Sequence, residues 1–87
     1  MTSEKPIEIS AHARLQMNER GVSESEVIAS IRQGDAEPAR AGRTRYRKTF
    51  EFGGLWRGRS YRLKQVATVV AEESAELVVV TVYAFYF

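Results

Sequence analysis

The sequence predicts an α+β domain: a short leading strand, two helices, then an antiparallel sheet of three or more strands. Three observations carry this. Two segments have helix-capping residues at both ends. After Gly34 the apolar period changes from helical to two. The alternating segments that follow are separated only by short turn-like stretches.

Met1 to Pro6 reads as a loose, disordered tail, and Ile7-Glu8-Ile9 alternates as a short strand. Ser10 is an N-cap for the good helix formers Ala11 to Arg20. Gly21 stands at the usual helix-ending position, and Arg20 suits the negative end of the helix dipole. Ser23 and Glu26 form a capping box for a second helix, whose apolar face is Val27, Ile28 and Ile31 and which Gly34 closes. Gly21-Val22 joins the helices in a hairpin or corner. Asp35 to Gly42 reads as a polar connector containing Pro38.

In the next segment Thr44, Tyr46, Lys48, Phe50 and Phe52 share one face, with Arg43, Arg45, Arg47, Thr49 and Glu51 on the other. That is a half-buried strand with a cationic outer face. Gly53-Gly54 and Gly58 mark a loop around Leu55, Trp56 and Arg57. A second strand runs from about Arg59 to Ala71, Glu72 to Ala75 is a turn, and Leu77 to Tyr86 is the last strand. There, Leu77, Val79, Thr81, Tyr83 and Phe85 line one face, and Val78, Val80, Val82, Ala84 and Tyr86 the other. Both faces are mainly apolar, so the strand is expected to be central or covered on both sides. Two short helices cover one sheet face. The second must meet a curled sheet, a substrate cleft or another protein.

Eighty-seven residues make one domain, 1–87, near the lower size for a self-sufficient core. With no cysteine, no disulfide or thiolate–metal site can compensate. One histidine and no His-Glu-x-x-His argue against zinc, and neither a Walker loop nor a dinucleotide fingerprint occurs. No metal or cofactor is expected. Glu24/Glu26 and Glu72/Glu73 read as helix-start and turn carboxylates. No signal peptide and no bilayer-length apolar run are visible, so a cytoplasmic protein with no membrane partner is expected.

The net charge of +2 hides an asymmetry. Residues 40–64 hold nine bases and one acid; the remainder holds four bases and ten acids. Such a polarised field favours a polyanionic partner, against the plainer reading of a solvated basic face paired with acidic helices. His12, Gln16 and Arg20 fall in one helical arc, bordering the Ala13/Met17 stripe. A histidine near guanidinium groups can transfer protons; it can equally only pack at a helix start. Arg43, Arg45, Arg47, Arg62 and Lys64, with Tyr46, Trp56 and Tyr61 interleaved, suit phosphate contact and base stacking. Trp56 between glycines is either an exposed stacking platform or a cover for the core's open end.

The run from His12 to Ser23, HARLQMNERGVS, resembles the H-A-x-x-R-M-x-x-R-G-I-[ST] opening of the family called domain of unknown function 4258. The ending Val80 to Phe87, VTVYAFYF, is similar to the V-T-V-Y ending common in that family. Gln16 stands where the family usually has Arg. The resemblance implies kinship with the RelE-like fold of barnase, EndoU, colicin and RelE-type ribonucleases. These place helices before a curved antiparallel sheet and cleave RNA without a metal. It also implies a bacterial or archaeal cytoplasmic protein, half of a toxin–antitoxin pair.

Two functions follow as expectations. The first is a metal-independent, toxin-like endoribonuclease: His12 transfers protons, Arg20 with Arg45, Arg47, Arg62 or Lys64 holds the phosphate, and Tyr83 is a second proton donor. The second is a non-catalytic module that binds RNA or an acidic antitoxin-like protein. The apolar C-terminal strand adds a self-pairing edge or homodimer face.

Overall fold

The computed structural model describes residues 5–87. It contains β1 (Ile7–Ile9), α1 (Ala11–Arg20), α2 (Glu24–Gln33), β2 (Asp35–Pro38), a 3₁₀ turn (Arg40–Gly42), β3 (Thr44–Trp56), β4 (Arg59–Glu72) and β5 (Leu77–Tyr86). The five strands form one mixed sheet in the order β1-β5-β4-β3-β2, with β1 parallel to β5 and every other pair antiparallel. The expected α+β architecture is present. Of the expected tail, Met1 to Glu4 lie outside the described residues, whereas Lys5 Nζ donates to Glu72 Oε2 and Pro6 O accepts from Leu77 N–H.

Local chemistry sets the helix ends. Ser10 Oγ accepts from Ala13 N–H, and α1 stops at Gly21, whose φ of 70° suits a residue without Cβ. Both halves of the Ser23/Glu26 capping box are formed. α1 packs on β5 and α2 on β4 and β3, so both helices cover one face. Ile9, Ala13, Met17, Val22, Val27, Ile31, Val66, Val70, Val79 and Val82 fill the space between. Each fully buried valine there contributes roughly 1.5–2 kcal/mol. Two hydroxyls sit inside this layer: Ser30 donates to Val27 O, and Thr68 therefore donates to Ser30 across 2.7 Å.

Four expectations need correction. The connector after Gly34 is partly a strand: Asp35–Pro38 pairs with β3, with Asp35 opposite Arg47 and Glu37 opposite Arg45. An edge strand tolerates acids and a terminal proline because one side faces water. The Gly53-Gly54 stretch is not a loop but a bulge within β3, between the pairs Glu51/Leu63 and Gly54/Tyr61. The reversal is only Arg57-Gly58, both at positive φ, as a two-residue hairpin turn requires.

The third correction concerns β5. Val70 pairs with Val79 and Val69 with Thr81, so Val80 is an extra residue. The bulge flips the alternation. Val79 and Val82 both reach the core, while Thr81, Tyr83 and Phe85 pass to the other side. Part of the strand's two-sided apolar character is thus one core-facing set, displaced by a residue. The fourth correction narrows the expected self-pairing edge on β5: β1 covers its Leu77–Val79 stretch. The strand lies between β1 and β4, and beyond β1 its Val82 N–H and C=O are taken by Gln16 Oε1 (2.9 Å) and Arg20 Nη1 (2.6 Å).

Candidate nucleic-acid interface

The helix-free face of the sheet gathers four of the expected site residues, Arg43, Arg45, Arg47 and Tyr83. Register places the residues of this face in rows: Glu37, Arg45, Val69, Thr81; then Asp35, Arg47, Ala67, Tyr83; then Thr49, Gln65, Phe85. These alternate along β4 with Val66, Thr68 and Val70, which are buried beneath the helices. Two hollows share Arg45 and Tyr83 and form a continuous groove. One, of about 190 Å³, adds Arg47, Ala67 and Phe85. The other, of about 170 Å³, adds Arg40, Arg43 and Thr81. Tyr83 and Phe85 are 41% and 50% exposed, with their rings near parallel at 19°. Apolar rings open to water between guanidinium groups can stack on bases while the cations meet phosphates.

Arg20 reaches this face from the other side of the sheet. Its guanidinium donates to Val82 O and stands 5.3 Å from the centre of the Tyr83 ring. Gln16 uses its carbonyl to accept Val82 N–H. An arginine has no acceptor and could not take that bond, so the Gln16 departure has a structural use at the strand edge. His12 lies one helical turn before Gln16, about 6 Å along the axis. It is exposed, lines neither hollow and makes no hydrogen bond or ion pair among the described residues. Of the three-residue arc, Gln16 and Arg20 meet β5 at Val82, and Arg20 also meets the Tyr83 ring of the groove.

Trp56 and Lys64 are elsewhere. Trp56 stacks on Tyr86 at 4.9 Å and 13°, with the Arg57 guanidinium 5.1 Å from its ring. Its indole also presses on Gly21, where a Cβ would lie 2.5 Å from Cζ3. It is therefore held between Tyr86 and Gly21 and is not a free stacking platform. Lys64 is 4% exposed; Nζ donates to Gly21 O and to Glu26 Oε1 (2.8 Å) and faces the Phe52 and Tyr86 rings. It does not share the arginine face. Arg62 is exposed near the start of β4. Arg57 is tied to Glu19 O, joining the hairpin tip to α1.

The family model described as Domain of unknown function (DUF4258) matches residues 9–84. The chain belongs to this family. The DUF4258 match runs from the end of β1 to Ala84 in β5 and so takes in both helices and all of β2, β3 and β4. Neither the curated proteins nor the solved structures include a match to this chain. Among the described residues no group of histidine, cysteine or carboxylate side chains is placed to hold a metal, and no helix is long and apolar enough to cross a membrane.

One residue was missed from sequence. Glu37 Oε2 accepts from both Arg45 and Arg47, and these guanidiniums hold its carboxyl below the ordinary carboxylate range. In the Trp56 cluster, burial pushes the Tyr86 phenol above the ordinary tyrosine value of 10.0, with the Lys64 cation pulling the other way. The phenol donates to Arg20 O at 2.6 Å, a bond that ionisation removes. A raised folded-state value stabilises the fold fully below pH 10 and progressively less as pH rises through the folded value. The urea midpoint should therefore fall above pH 10, and Tyr86→Phe should remove that part of the fall. An unchanged alkaline limb in Tyr86→Phe would refute the assignment.

Proposed function

We propose that this DUF4258 protein binds RNA on the helix-free face of its sheet and cleaves it without a metal, as a toxin-like endoribonuclease of the prokaryotic cytoplasm. The observation that supports this reading best is the groove in which Arg40, Arg43, Arg45 and Arg47 surround the exposed Tyr83 ring. In the reaction the 2′-hydroxyl attacks the adjacent phosphate and the 5′-oxygen leaves. The arginines hold the phosphate and its developing charge. The Tyr83 hydroxyl is the proton donor to the leaving 5′-oxygen, with Arg20 beside its ring, and the 2′-hydroxyl proton passes to water. His12, outside the groove, is the weaker candidate for that step.

Cleavage of a labelled RNA in EDTA tests the proposal. Tyr83→Phe should slow it by about a hundredfold, the usual loss for a proton-transferring side chain. Arg45→Ala with Arg47→Ala should weaken binding and flatten its salt dependence by roughly one to two phosphate contacts. His12→Ala should cost less than Tyr83→Phe; the reverse order would move the chemistry to the α1 border.

A second reading is favoured by one observation. The Arg20 guanidinium gives one N–H to Val82 O and the Gln16 carbonyl oxygen accepts Val82 N–H, so both side chains have a structural use at the strand edge. A non-catalytic module binding RNA, or an acidic antitoxin-like protein, fits that engagement. Salt-dependent RNA binding with no cleavage by wild type would establish it.

A further inference from the structure

The arginine pair already holds an anion. Arg45 Nε (2.9 Å), Arg47 Nε (3.2 Å) and Arg47 Nη2 (3.0 Å) converge on one oxygen, Glu37 Oε2. The second oxygen, Oε1, has no hydrogen-bond partner among the described residues. A bidentate fork would use both oxygens; three donors on one oxygen also suit a single non-bridging phosphate oxygen. Arg47 Nη1 only grazes Gln65 Oε1 at 3.5 Å, and Arg43, beside Glu37 on the surface, makes no side-chain bond among the described residues.

Glu37 is also free to leave. Its side chain is 41% exposed. It stands on a four-residue edge strand paired only with β3. Exposed ion pairs of this kind are weak, so a better anion can replace the carboxylate at small cost.

We propose that Glu37 is a built-in competitor that occupies the Arg45/Arg47 pair in the free protein and gives way to an RNA phosphodiester. The inference rests on the reading of this face as an RNA surface and deepens it. The competitor sets selectivity for a polymer over small anions. A lone anion must break the Glu37 contacts unaided. An RNA strand brings neighbouring phosphates to Arg40 and Arg43 and bases to Tyr83 and Phe85, and these added contacts offset the loss.

Inorganic sulfate is the probe for the pair itself, because its charge is constant near neutral pH. The readout is the Nε–H signals of Arg45 and Arg47 in Glu37→Gln and Glu37→Ala. Both variants should need about fivefold less sulfate than wild type for half the shift, the upper range for an exposed ion pair. In wild type, the Glu37 carboxyl carbon signal should move together with the two arginines as sulfate is added. Equal sulfate requirements in all three proteins, or an unmoved Glu37 carboxyl, would overturn the competitor. RNA titrations separate the two readings. No RNA binding by any of the proteins, with the sulfate difference intact, would remove the RNA reading and leave the competitor standing. RNA binding with no sulfate difference would do the opposite.

Discussion

Lys64→Ala is expected to destabilise the fold by about 3 kcal/mol, because it breaks a buried ion pair from one side. The ammonium lies under the α1–α2 corner, and its three N–H groups have distinct uses. One meets Gly21 O at the end of α1, one meets Glu26 Oε1 at the start of α2, and the remainder faces the Phe52 and Tyr86 rings. Glu26 Oε1 also accepts Ser23 N–H in the capping box, so Lys64 stabilises the same carboxylate that caps α2. Removing the cation leaves a helix-terminal carbonyl and a partly buried carboxylate without their charged partner. Lys64→Met should cost less, since the apolar stem is retained. The urea midpoint at constant m-value measures both. If Lys64 served RNA instead, the midpoint would stay put and RNA affinity would fall.

That lysine marks where the sequence was harder to read. Its charge grouped it with Arg45 and Arg47, yet it shares a period of two with Val66, Thr68 and Val70, the buried set of β4. Parity was the signal, and charge outweighed it. The helices were legible because caps are local: Ser10, Ser23, Glu26 and Gly21 act within a turn of their own position. β2 was not, because Asp35, Glu37 and Pro38 have little strand preference and are held by pairing with β3. Without β2 there was no reason to place Glu37 beside Arg45. The β5 bulge was hidden by composition. Leu77 to Val80 is an unbroken apolar run, so an inserted residue changes no visible pattern. The arginine alternation at Arg43, Arg45 and Arg47 was legible because phenylalanines and Tyr46 flank it on the opposite parity. The separation of His12 from the groove depends on how α1 crosses β5, which no local spacing encodes.

The second large effect is expected at Gly34, where α2 is pressed onto the strand that carries the site. Gly34 has φ −84°, which any residue adopts, so its need for glycine is steric. A Cβ there would collide with two main-chain oxygens, Arg47 O and Ser30 O, and lie 2.9 Å from the Arg47 carbonyl carbon. Backbone on both sides cannot rotate away as a side chain tip could. Gly34→Ala should therefore cost roughly 3 kcal/mol, the upper range for overpacking. Gly42→Ala is the control: nothing lies within 4 Å of its Cβ, and its φ of 71° should cost only about 1 kcal/mol. The two costs would be read from urea midpoints, and equal values would show that β3 yields to the added methyl. The consequence reaches the groove through Arg47. Its main-chain carbonyl meets α2, while its guanidinium meets Glu37. Pushing β3 away from α2 shifts the arginine relative to β2, so the Arg47 Nε–H signal should move in Gly34→Ala and stay in place in Gly42→Ala. The close approach at Gly34 thereby fixes the spacing of the Arg45, Arg47 and Glu37 contacts on which anion binding depends.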